Sequence, residues 1–208
     1  MNKQQENLIY FNKWASFYDK TPFVSLYLRY IQKKVVTEIN LKENHSILDV
    51  ACGTGHIIYL LSEKANKEKV KNIKLSGIDI SSEMIKKAKS KFKNQKNIKL
   101  KIGNVESLPY KESSFDYIIT TDAFHHFPNP KKAVEEISRT TKSKGKVIVA
   151  DINIRPLWLF NILFKLEPGF VYMYSKKEFK ELFEKKNLKV IKQKRIALIG
   201  LMTIGEKL

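Results

Sequence analysis

The chain has 208 residues, carries 39 Lys plus Arg against 21 Asp plus Glu for a net charge of +18, and is 43% hydrophobic and 11% aromatic. That length fits one globular domain, and the apolar share excludes global disorder despite the charge. A single cysteine, Cys52, excludes an internal disulfide framework and a cysteine-ligated structural zinc, and no apolar run reaches the roughly 18 residues of a membrane span. The N-terminus lacks a basic start followed by an unbroken apolar run, so a cytoplasmic protein is expected. Of the cations 35 are Lys, and only Arg29, Arg139, Arg155 and Arg195 are Arg. Nucleic-acid readers lean on the planar fork of Arg, so this composition points away from nucleic acid. It leaves a solvated Lys surface as the plain reading and peripheral contact with an anionic membrane as a second.

Residues 1–40 read as a helical cap. Tyr10, Trp14 and Tyr18 stand at i, i+4 and i+8, which suits either a packing stripe or a lid. Residues 23–39 form an amphipathic helix. From Ser46 onward, short apolar runs alternate with Lys/Glu-rich stretches of helical period. Strands are expected at Ser46–Ala51, Ile73–Ile80, Tyr117–Thr121 and Lys146–Asp151, with helices near His56–Ala65, Ser82–Phe92 and Pro130–Thr141. This rhythm predicts an α/β fold with a mostly parallel sheet and helices on both faces. Asn97–Ile102 (NIKLKI) alternates, with Lys99 and Lys101 on one face and Ile98, Leu100 and Ile102 on the other, so it belongs at a sheet edge. Residues 154–174 form an insertion whose apolar run, Leu157–Phe164, suits a lid, a buried or dimer contact, or an interfacial anchor flanked by Arg155 and Lys165. A helix at Ser175–Lys185 and a strand pair, Leu188–Leu198 and Leu201–Glu206, complete residues 175–208 as an antiparallel hairpin.

The strongest local signal is ILDVACGTGHIIYLL, an apolar strand ending in Asp49, a Gly53-Thr54-Gly55 bend and a helix. Such a bend lets backbone approach a ligand, and the helix N-terminus behind it presents free N–H groups. A dinucleotide fingerprint would place a third glycine where Ile58 stands, and the Lys of a P-loop is missing. Asp49 would repel phosphate and suits a positively charged ligand. Asp79 ends the second strand in GIDIS, where an acid can accept both hydroxyls of a ribose. The loop GNVESLP, carrying Asn104 and Val105, follows the edge strand and converges on the same crevice.

DVACGTG, GIDIS, GNVESLP and FDYIITTDAFHHFPNP in this order resemble the class I S-adenosylmethionine-dependent methyltransferases, small-molecule branch. The resemblance covers residues 46–151 and implies one domain with a Rossmann-like seven-stranded, mostly parallel sheet. It also implies a cofactor, S-adenosyl-L-methionine, and methyl transfer (EC 2.1.1.-) to a small-molecule acceptor. By that likeness Asp49, Ala51, Gly53 and Gly55 hold the methionine part, and Asp79 takes the ribose hydroxyls. Ile80 and Met84 flank the adenine, Asn104 and Val105 meet its edge, and Thr121 stands at the fourth strand end. Tyr18 is the implied aromatic lid. Asn104-Val105 replaces the family's frequent Asp-Ala. His125 and His126 face the transfer site, as a proton acceptor or as loop structure; two adjacent histidines do not suggest a metal site. The quinone branch usually carries an Arg-Asn pair there, so quinones are not singled out, although the apolar insertion suits an apolar or amphiphilic acceptor. The alternatives are a catalytically silent cofactor-binding subunit and an RNA- or protein-directed methyltransferase partner.

Overall fold

The computed structural model describes residues 3–18 and 22–208, except the side chains of 16–18 and 22–25. A seven-stranded sheet runs β3-β2-β1-β4-β5-β7-β6. The strands are β1 Ser46–Val50, β2 Lys74–Asp79, β3 Ile98–Ile102, β4 Phe115–Thr121, β5 Thr141–Ile152, β6 Leu188–Ile196 and β7 Gly200–Lys207. The first five are parallel, and β7 enters antiparallel between β5 and β6. The expected α/β sheet with a C-terminal hairpin is therefore present, with β3 at one edge.

Strand periodicity sorts each apolar run between two cores. Ile47, Tyr117, Ile119 and Ile148 point to one, Leu48, Ile118, Val147 and Val149 to the other. The first core is closed by α2 (Pro22–Thr37), through Ile31 and Val35, and by α3 (His56–Lys67), through Ile57, Ile58 and Leu61; Ile85 of α4 (Ser82–Lys91) joins them. The second is closed by Val134 and Ile137 of α5 (Pro130–Thr140) and by Phe179 and Phe183 of α7 (Lys176–Glu184). Ile98 and Leu100 of β3 pack on the first core as their alternation predicts, whereas Ile102 is exposed at the strand's end.

Helix starts follow the local chemistry. The Ser81 hydroxyl accepts from the Met84 N–H at the head of α4, and Asn129 accepts from the Lys132 N–H ahead of Pro130. Ser175 and Glu178 close a reciprocal capping box on α7. Among the boundaries that differ from the sequence reading, two have a visible cause. β5 begins at Thr141 rather than Lys146, pairing with Phe115 across a register shift. β6 stops at Ile196 because Ala197 turns with φ 52°, and Leu198 is left on the hairpin tip. In the insertion, α6 (Leu157–Leu163) runs into a single 3-10 turn, Phe164–Leu166. Among the described residues no helix is long and apolar enough to cross a membrane.

The third glycine that the sequence lacks has a counterpart on the facing strand. Gly77 of β2 lies where a Cβ would meet Ile58 Cδ1 at 2.7 Å, Leu100 Cδ2 at 2.7 Å and Cys52 Sγ at 2.8 Å. Close packing of α3 on the sheet is thus achieved by removing the side chain from the strand, and Ile58 fills the space instead.

Candidate functional site

The carboxyl ends of β1, β2, β4 and β5 each finish on or beside an acid: Asp49, Asp79, Asp122 and Asp151. Above them lies a cavity of about 500 Å³. Ala51, Gly53, Asp79, Ile80, Met84, Asn104, Val105, Thr121, His125 and His126 all line it, so the motif loops converge as a crevice at the strand ends should. Gly103 adds a side-chain-free patch of wall, where a Cβ would meet Ile78 Cδ1 at 2.5 Å.

Two expected contacts stand behind that wall. Asp49 is buried and does not line the cavity. Burial, with the nearby Asp79 charge, pushes its carboxyl well above the ordinary range. Gly55 is the N-cap of α3 at φ 82°, its N–H bonded to the Cys52 carbonyl, and a Cβ there would meet Phe92 Cε2 at 2.8 Å. Its visible work is to turn the chain where no other residue fits. The same burial and the two carboxyls push the Cys52 thiol up, so it stays protonated and is no nucleophile.

Asp79 is held in place by backbone. Its Oδ2 accepts from the Gly53 N–H and its Oδ1 from the Ser81 N–H, both at 2.8 Å. Burial raises its pKa and these bonds oppose the rise. The GNVESLP loop is pinned from α5: Glu136 accepts from the Leu108 N–H, and the Arg139 guanidinium donates to the Leu108 and Tyr110 carbonyls. Asn104 Oδ1 already accepts from the Glu106 N–H at 2.9 Å, leaving one lone pair of that oxygen for a ligand. The Thr121 hydroxyl accepts from Gln32 of α2 at 3.3 Å.

The roof is α1 (Lys3–Tyr18). Gln4, Asn7, Tyr10, Phe11 and Trp14 line the cavity, so two members of the aromatic stripe, Tyr10 and Trp14, border that space. Tyr10 and Trp14 stack at 6.1 Å, and Phe11 meets the His126 ring edge-on at 5.0 Å. The Tyr18 side chain lies outside the described residues. Asn7 Nδ2 donates to the His126 carbonyl at 2.7 Å, tying the roof to the loop after β4.

A buried charge cluster that the sequence reading did not single out sits opposite the glycine bend. His125 Nδ1 lies 2.6 Å from Asp151 Oδ1, and the His125 backbone N–H donates to Asp151 Oδ2 at 2.7 Å. Burial would lower this histidine, but the Asp151 charge and hydrogen bond, with Asp122 and Glu167 beyond, push it up to about 9. Asp122 moves up to about 6 through burial and the neighbouring Asp151 and Glu167, partly offset by His125. His126, buried against that charged ring at a centroid distance of 3.9 Å, is driven well down and stays neutral. Asp122 Oδ1 is buried without a hydrogen-bond partner. Ala51 (φ 56°) and Asp122 (φ 52°) hold left-handed backbone at the wall, a strain of about 1–3 kcal/mol each outside glycine. Asp122, His125 and Asp151 bring ligand atoms within 4.8 Å of one another, the spacing a metal ion would need. The clue to this cluster was in the sequence: YIITTD and KVIVAD end in acids just as ILD and GID do, but only strand pairing (Thr121 opposite Ala150) shows that those ends are neighbours.

The family described as methyltransferase domain matches residues 41–198. A ubiquinone/menaquinone biosynthesis C-methyltransferase of Rickettsia massiliae is 37% identical over 113 residues, 53% of this chain and 45% of that one. The chain spans about half the length of the curated relatives it matches. Among solved structures, one chain of the complex between the Haloferax volcanii Trm112 methyltransferase activator and a methyltransferase superposes with TM-score 0.80 at 19% identity, covering 94% of this chain and 96% of that one. A SAM-dependent methyltransferase from Aquifex aeolicus gives TM-score 0.75 at 22% identity, covering 95% and 98%.

Proposed function

The chain belongs to the class I S-adenosylmethionine-dependent methyltransferases, and from that premise we propose that it transfers a methyl group to a small, apolar or amphiphilic acceptor held in the cavity beneath α1. The observation that carries this reading is the convergence of the three motif loops, the Asp79 carboxylate and the aromatic roof on one space.

The residues present fit the cofactor. Asp49 and Asp79 are buried within reach of each other's charge and both are pushed up, a cost that a ligand bearing a positive amino group and sulfonium relieves. Gly53 and Gly103 leave wall without side chains. In this reading Asp79 accepts the ribose hydroxyls, Ile80 and Met84 bracket the adenine, and Asn104 and Val105 meet its edge. Ala51 and Gly53 lie along the methionine part, with Thr121 at the far wall. Asp49 acts from behind the wall, through charge rather than contact. When bound, S-adenosylmethionine supplies a methyl group already activated for displacement, so the protein's task is alignment and exclusion of water.

His125 sets the polarity of the acceptor side. Held near 9, its ring is an imidazolium at neutral pH, a hydrogen-bond donor rather than a ready base. It suits an acceptor that carries an acidic hydroxyl, whose anion it would stabilise as the nucleophile forms. Asp151 orients that ring, and Phe11, Tyr27, Phe127 and Phe164 supply apolar wall around it. His126, neutral and buried, serves the loop. The relative from Rickettsia is named for quinone biosynthesis, which supports a hydroxylated ring as the acceptor class.

Incubation with methyl-labelled S-adenosylmethionine and a panel of hydroxylated aromatic amphiphiles tests the proposal. Label should pass to a phenolic or enolic acceptor and not to water-soluble amines; transfer only to amines or to RNA would overturn it. A second reading, a partner-dependent methyltransferase subunit, is favoured by the open β3 edge with its exposed Ile102 and by the activator complex in which the Haloferax volcanii relative was solved. Activity that appears only when a second protein is added would support it.

A further inference from the structure

Three segments that help to line the cavity wall also carry large apolar side chains turned to water. On α2, Tyr27 lines the wall and Leu26 is 70% exposed. Around α6, Phe164 lines the wall while Trp158 is 67% and Leu166 90% exposed, with Ile162 and Leu163 also exposed. On the β6–β7 turn, Ile199 lines the wall and Leu198 is 89% exposed. Large apolar side chains turned outward from three separate elements around one cavity are not the scattered exposure any protein shows.

The charge around them is mainly basic. Residues 22–38, 154–167 and 188–206 carry nine cations against three carboxylates, Glu38, Glu167 and Glu206, while the chain as a whole has 39 cations to 21 acids. Arg29, Lys33, Arg155, Lys165 and Lys194 are exposed, and Lys192 reaches an acid, Glu38, at 2.7 Å. Such a surface repels a second copy of itself, and protein interfaces are depleted in Lys. Nucleic acid would use the cations but has no use for Leu166 or Leu198 in full water. The combination of an apolar tip with Trp and a basic surround fits the interfacial zone of an anionic bilayer. At seven residues plus one 3-10 turn, α6 is long enough to lie in that zone and too short to cross it.

We propose that the α6 tip, the β6–β7 turn and the exposed face of α2 form a peripheral docking surface for anionic membrane, with the mouth of the cavity turned toward the lipid. Docking so oriented lets an apolar acceptor pass from bilayer to cavity without crossing water, a consequence that rests on the amphiphile reading above.

The test is flotation of the full chain, without cofactor or acceptor, on vesicles of phosphatidylcholine with and without about one third phosphatidylglycerol, at low and high salt. Binding to the anionic vesicles should exceed binding to pure phosphatidylcholine by about tenfold or more and weaken with salt. Tryptophan emission should shift to shorter wavelength, a shift that Trp158→Phe abolishes. Leu166→Glu and the pair Trp158→Ala with Leu198→Ser should each reduce binding about tenfold with unchanged thermal stability. No vesicle binding, or binding that these variants leave intact, overturns the proposal. So does a concentration-dependent dimer that Leu166→Glu dissolves without any vesicle binding. S-adenosylhomocysteine affinity measured on the same preparations separates failure here from failure of the methyltransferase reading.

Discussion

Replacing Asp151 by Asn keeps the size of the side chain and removes the charge that holds His125. The histidine stands at about 9 against an ordinary 6.5, and its ring is almost fully buried, so solvent screening removes little of the effect. A difference of that size corresponds to about 3 kcal/mol of native-state stabilisation. The folded pKa is raised, so the contribution is fully present below pH 6.5 and is lost as pH climbs through about 9. Asp122 and Glu167 face the ring as well, but Asp122 titrates near 6, below the window. Without the Asp151 carboxylate, burial lowers the ring with only Asp122 and Glu167 to oppose it, and the imidazolium loses most of its support. Thermal melts of wild type and Asp151→Asn between pH 6 and 10 should therefore show a gap of roughly 6–12 °C at pH 6.5 that closes by pH 10. An NMR titration of His125 gives the same quantity directly. Parallel melting curves across the window, or a wild-type His125 titrating near 6.5, would refute the reasoning.

Asp79→Asn keeps one acceptor oxygen for Gly53 or Ser81 but loses the charge for the ribose hydroxyls; S-adenosylhomocysteine affinity by calorimetry should fall about 30-fold or more. His125→Ala should leave that affinity within about threefold while lowering turnover with a hydroxylated acceptor. Gly77→Ala drives a Cβ into Ile58, Leu100 and Cys52 and should cost about 1–3 kcal/mol in urea unfolding without changing cofactor affinity in the folded protein. Asn7→Ala removes the link from the roof to the His126 carbonyl, and trypsin should then cut at Lys3 or Lys13 faster than in the parent.

Much of the fold could be read because strand and helix periods are clean here. The acid–glycine bend and the lysines of β3 each announced their place in the sequence alone. What escaped the sequence depends on neighbours far along the chain. Gly77 acts as the packing glycine only because Ile58 lies across it, and a pattern search on the bend alone registers a missing residue instead. Asp122 and Asp151 become a cluster with His125 only through the pairing of β4 with β5. The roof shows the same limit: the i, i+4 aromatic spacing on α1 is the same for a packed stripe and a lid, and that Tyr10, Phe11 and Trp14 line a cavity cannot be read from the spacing. Asp49, placed at the cofactor by likeness, is buried and does not line the cavity, a depth that the motif alone does not show.

Calorimetric titration with S-adenosylmethionine, S-adenosylhomocysteine and NAD tests the central claim most directly. The first two should bind at one site per chain and compete with each other, with NAD giving no heat. A chain that ignores both sulfur nucleosides, or prefers NAD, would contradict the account.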